Sequence, residues 1–73
     1  MELKAYLSKE RGRSSKMARA LNISPGFIAM IANGKKAVPP KQAVFIEKYT
    51  SGQVTRKDLR PLDYAKFWPE LAD

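Results

Sequence analysis

Residues that start and stop helices recur so closely along this chain that no long helix or strand fits between them. Gly12, Asn22, Ser24-Pro25, Gly34, Pro39-Pro40, Gly52, Pro61 and Pro69 leave stretches of roughly a dozen residues or fewer. Proline has no N–H and a fixed φ, so it opens helices and interrupts them. Glycine and, less readily, asparagine accept the left-handed angles that end a helix. Inside the stretches the apolar spacing is helical. Leu3, Tyr6 and Leu7 make a stripe on a first helix over residues 2–10. Ser14 or Ser15 is expected to cap a second helix with Met17, Ala18 and Leu21 on its inner face, ended by Asn22. Ile23 plugs the core from within the turn. Ser24 then caps and Pro25 opens a third helix that runs to Ala32 or Asn33 and stops at Gly34, a rod about 12 Å long. Lys35 to Pro39 reads as a loop and Pro40 to Tyr49 as a fourth helix. Val54 to Leu59 gives one more short turn of helix before Pro61. Tyr64, Phe67, Trp68 and Leu71 have helical spacing that Pro69 interrupts. No segment alternates as a strand. The expectation is a single all-α domain over residues 1–73, with four to five short helices.

A chain of 73 residues buries about 60–65% of its unfolded surface, so its core is thin. Stability of roughly 4–11 kcal/mol is expected from per-residue values. With no Cys and no His it has no disulfide, no thiolate, and neither the commonest general base nor the commonest metal ligand. Glu2, Glu10, Glu47, Asp58, Asp63, Glu70 and Asp73 are scattered without ligand or catalytic spacing. No enzyme, metal or cofactor is expected. No apolar run approaches the ~20 residues of a membrane span, and the first residues lack a signal-peptide core.

Placement of charge is more informative than its total. The net charge is +7, from 14 Lys and Arg against 7 Asp and Glu. Residues 11–46 contain no acid and carry Arg11, Arg13, Lys16, Arg19, Lys35, Lys36 and Lys41, so the whole excess lies there. Such segregation attracts a polyanion by counterion release and steering. A membrane-surface helix gathers its cations on one amphipathic face, whereas here they form two clusters around an apolar stretch, which favours nucleic acid.

Two short helices joined by a three-residue turn within a basic segment have the geometry of a helix-turn-helix over about residues 14–33. Ala18 is small where the helices cross, and Met17, Leu21, Ile23, Ile28 and Ile31 lock them together.

The stretches Ser15-Lys16-Met17-Ala18-Arg19-Ala20-Leu21, Asn22-Ile23-Ser24-Pro25 and Asn33-Gly34-Lys35-Lys36-Ala37-Val38-Pro39-Pro40 resemble the small phage Cro and repressor helix-turn-helix class, and most of all its YdaS-like, Cro-like regulators. Ile46-Glu47-Lys48, Val54 to Pro61 and Trp68-Pro69-Glu70-Leu71 continue the likeness. The resemblance implies a lambda-repressor-like domain that regulates transcription at a two-fold operator on double-stranded DNA. It places the protein in the cytoplasm of a bacterial or phage-infected cell, at the nucleoid. It also puts the base-reading positions on the outer face of the third helix.

At 100° per residue Gly26, Ala29, Met30 and Asn33 share that face, opposite Phe27, Ile28 and Ile31. Such positions are polar in most of the class, and here three of the four are Gly, Ala and Met. Ala29 and Met30 then suit thymine methyls, Ser24 and Asn33 are the hydrogen-bonding candidates, and Gly26 with Ala29 lets the backbone approach the groove floor. Arg13, Ser14, Ser15, Lys16, Arg19, Lys35, Lys36 and Lys41 are the phosphate candidates.

Two alternatives stay open. The apolar outer face of the third helix also suits docking on a protein, as in a phage or toxin–antitoxin interaction module. The aromatic tail over 61–73 either folds back on the core or forms the self-complementary patch of a weak homodimer, and both can hold. A chain this small has no room for an effector-binding domain, so no small-molecule effector is expected.

Overall fold

Helix boundaries fall at the punctuating residues. A computed structural model describes residues 1–71, and Ala72 and Asp73 at the end of the tail lie outside the described residues. The helices are α1 (Leu3–Ser8), α2 (Arg13–Leu21), α3 (Pro25–Ala32), α4 (Pro40–Tyr49), α5 (Arg56–Leu59) and α6 (Tyr64–Phe67), followed by a 3-10 turn over Pro69–Leu71. No strand occurs among the described residues, so the all-α class is the one that forms. The count exceeds the expected four to five because α5 and α6 are separate four-residue helices.

The turn between α2 and α3 follows its sequence closely. Asn22 adopts φ 57°, ψ 45° and donates its N–H to the carbonyls of Ala18 and Arg19. Ile23 is half-buried against the core. The Ser24 hydroxyl accepts from the Phe27 N–H at 3.1 Å, with Pro25 at the first helical position. Gly34, at φ 75°, and Lys35 close α3 by donating to the carbonyls of Ile31 and Met30, which ties off two of the four carbonyls a helix end leaves free.

One expectation fails. Neither Ser14 nor Ser15 caps α2. Its N-cap is Gly12 in the left-handed conformation, at φ 87°, with no side-chain cap. The chain enters the helix before the serines because glycine turns the backbone there without a Cβ penalty. Arg13, the first helical residue, reaches back to α1: its guanidinium donates to the Tyr6 carbonyl at 3.1 Å and lies 4.2 Å from the Tyr6 ring.

The core is a seam between α2, α3 and α4. Met17, Ile28, Ile46 and Val54 are fully enclosed, with Ala18, Ile31, Ala43, Leu3, Tyr6 and Val38 around them. Each large aliphatic contributes roughly 1.5–3 kcal/mol by leaving water. The buried Thr50 hydroxyl accepts the Val54 N–H at 3.0 Å and donates within the same turn, folding the chain back so that Val54 enters the core. Trp68 packs half-buried against this core.

Candidate nucleic-acid interface

The surface of α3 is set by its two-sided sequence. Ile28 and Ile31 face inward and are buried, while Gly26, Ala29, Met30 and Asn33 are all exposed on the opposite side, Met30 at 42%. Ser24 stands exposed at one end of this face. Its oxygen is occupied by the helix cap, which leaves its O–H free to donate. Asn33 at the other end is the helix C-cap, and its side-chain amide makes no hydrogen bond among the described residues. Capping the helix through its backbone is therefore compatible with a side-chain amide open to a partner.

Gly26 is informative because nothing inside the protein requires it. Its φ is not in the left-handed region, and a Cβ there would meet only the Ser24 hydroxyl, at 4.0 Å. A helical glycine costs about 1 kcal/mol relative to alanine. The chain thus leaves the start of α3 bare on its outer side without any gain in packing.

The cationic candidates divide by what they already touch. Lys16, Arg19, Lys35, Lys36 and Lys41 are exposed and form no ion pair among the described residues, and the same holds for Arg11. Lys16 and Arg19 lie on the face of α2 opposite Met17 and Ala18. Lys35 and Lys36 leave the end of α3 in a direction fixed by their backbone N–H groups, which lie 2.9 and 3.4 Å from the Met30 carbonyl. Arg13 differs: besides Tyr6 it lies 3.5 Å from Glu10, so its charge is largely used within the fold. Ser15 is exposed and Ser14 half-buried in the uncapped first turn of α2. The first backbone N–H to close that helix is that of Lys16, onto the Gly12 carbonyl. The N–H groups preceding it are the usual orphans of a helix start, where an anion is favoured.

Three surface features escape a sequence reading. Phe45 and Tyr49 stand exposed on α4, at 45% and 39%; their i, i+4 spacing was the available signal. Leu62 is 99% exposed. An open cleft of about 350 Å³ lies beside it, bounded by Gly34, Lys36, Ala37 and residues 59–63. No local pattern announces a cleft assembled from segments more than twenty residues apart.

Residues 5–66 match the family model described as bacterial toxin YdaS. The chain belongs to that YdaS family. It is also similar to a prophage transcriptional regulatory protein of Escherichia coli (strain K12), with 37% identity over 67 residues, covering 88% of this chain and 98% of that protein. The match takes in all of α2 to α5, and with them the uncapped start of α2, the α2–α3 turn and the Lys35-Lys36 exit. The family's description names a toxin and that of the similar protein a regulator.

Proposed function

We propose that this YdaS-family protein is a Cro-like transcriptional regulator that lays the outer face of α3 in the major groove of double-stranded DNA. The observation that carries the reading is the bare start of α3 at Gly26, within a stretch of chain whose cations, Arg13 apart, form no ion pair among the described residues. Phosphate contacts come from Lys16, Arg19, Lys35 and Lys36, with Ser15 and the orphan N–H groups of α2, and Lys41 further along the chain. Arg13 serves mainly to hold α1 and α2 together. Asn33 pairs with a base edge, and Ala29 and Met30 meet thymine methyls. With few hydrogen bonds to bases, DNA shape supplies part of the selectivity. The likeness to a prophage transcriptional regulatory protein supports the same reading. Repression by occlusion at the nucleoid suits a domain of this size.

A selection of bound duplexes from a random pool tests the proposal. A preferred sequence is expected to emerge, with half-sites about 34 Å apart or a multiple of that. Asn33→Ala and Met30→Ala are expected to change which sequence is preferred. An unenriched pool would count against sequence-specific regulation. It would favour the second reading, a protein-docking module of a toxin-type system, for which the exposed Ala29 and Met30 and the family's description as a toxin speak.

A further inference from the structure

We propose that two copies of this chain pair through the Pro61–Asp63 turn and the cleft beside it, with Leu62 of each copy seated in the cleft of the other. The inference rests on the regulator reading only for its purpose, since a two-fold operator is what makes pairing useful; the surface is argued from its own shape.

Leu62 is held out by the framework around it. The Arg60 guanidinium donates to both Asp63 carboxylate oxygens, at 2.9 and 2.6 Å, and to the Val38 carbonyl. The Asp63 and Tyr64 N–H groups return to the Arg60 carbonyl at 3.3 and 2.9 Å, and Pro61 fixes its own φ. The turn cannot tuck its leucine inward without breaking these bonds. No other exposed large hydrophobic residue in the described chain exceeds 45% exposure, against 99% for Leu62. The adjoining cleft of about 350 Å³ has Ala37, Leu59 and Pro61 among its walls. A closed apolar cavity of about 150 Å³ already accepts a benzene ring, so this larger, open cleft has room for a leucine side chain. A knob and a hole side by side on one surface are self-complementary, which is the requirement for a two-fold contact.

Charge favours the same place. Residues 59–71 carry Arg60 and Lys66 against Asp63 and Glu70, and so sum to zero. Another apolar patch, Phe45 and Tyr49, shares the exposed side of α4 with Lys41 and Lys48, so two copies meeting there would oppose like charges. One knob and one cleft per copy fall short of the roughly 1,200–2,000 Å² that a stable interface buries. Pairing is therefore weak in free protein and is completed when neighbouring half-sites hold two copies close. Because Gly34 and Lys36 follow α3 directly, it turns the C-terminal ends of the two α3 helices toward the two-fold axis.

The absence of cysteine from the chain allows a clean test. Leu62→Cys, Phe45→Cys and Ser15→Cys are each treated with a short bis-maleimide in the absence of DNA. Cross-linked dimer is expected to form fastest at position 62. Equal rates at all three positions, or the fastest at 45, would overturn the proposal. A second arm compares Leu62→Asp with the unaltered chain on duplexes carrying one or two selected half-sites. The expected result is a loss of about tenfold on two half-sites and no change on one. Leu62→Asp binding both duplexes as the unaltered protein does overturns the pairing surface and leaves the DNA reading standing. Cross-linking at 62 with no duplex bound by the unaltered protein does the reverse.

Discussion

Two groups of cations in this protein differ in what they touch. Those of residues 56–60 are each occupied. Arg56 lies 3.0 Å from Glu47, 3.6 Å from Glu70 and 5.3 Å from the Trp68 ring; Lys57 lies 5.3 Å from the Tyr64 ring; Arg60 holds Asp63 and lies 4.9 Å from the Phe67 ring. The cations of residues 11–41 are, apart from Arg13, exposed and unpaired among the described residues. The same two residue types do structural work in one region and are held in reserve in the other. What separates them is the company of acids, which the first region has and the second lacks, together with the Tyr64, Phe67 and Trp68 rings that the first region's cations meet.

The sharpest break of this contrast is to remove a cation from each region. Arg60→Ala takes away a bidentate carboxylate pair, a carbonyl contact and a ring contact. It is expected to cost about 1–3 kcal/mol in urea unfolding. Lys35→Ala with Lys36→Ala is expected to leave stability within about 0.5 kcal/mol, while weakening binding to all duplexes alike and lowering the salt slope by about two. Equal destabilisation by both would erase the distinction.

Gly26→Ala gives a smaller effect with opposite signs in two assays. Thermal unfolding is expected to show about 0.5–1 kcal/mol of added stability, because the new methyl enters open space. Duplex affinity is expected to fall, because that methyl stands where the groove comes closest. Unchanged affinity would place the interface elsewhere.

The most modest expectation concerns pH, and it belongs wholly to the region of occupied charges. Burial works against the charged form of Asp58, but hydrogen bonds from the Met1 ammonium and from Thr55 outweigh it and hold the carboxyl below its ordinary range. The hydrogen bonds from Arg60 do the same for Asp63. Both carboxylates are thus more acidic in the folded chain than in the unfolded one. Their contribution is fully present above the unfolded value of about 3.9 and is lost as pH falls through the lowered folded values. Urea midpoints are expected to hold steady from pH 7 to about pH 5 and to decline below about pH 4, less steeply in Asp58→Asn.

Much of this was legible in the sequence, for reasons that are local. The Asn22 turn, the Ser24-Pro25 start, the Gly34 stop and the two faces of α3 each depend on a few adjacent residues and one helical period. The start of α2 was misread because two serines outweighed the glycine before them, although only the glycine could take the left-handed angle. The Thr55–Asp58 capping box carried its usual three-residue spacing and still went unread beside Pro61. The engagement of Arg13 with Tyr6, the ring contacts of α5 and the Leu62 cleft arise from tertiary placement. No window of sequence contains them.

The claim that unites these observations is that the unpaired cations of residues 11–41 are kept for a phosphate backbone. Duplex affinity measured against salt concentration tests it most directly. If about four phosphates are neutralised per chain, log K falls with log salt at a slope of roughly −3 to −4. An affinity that stays flat as salt rises would contradict the account.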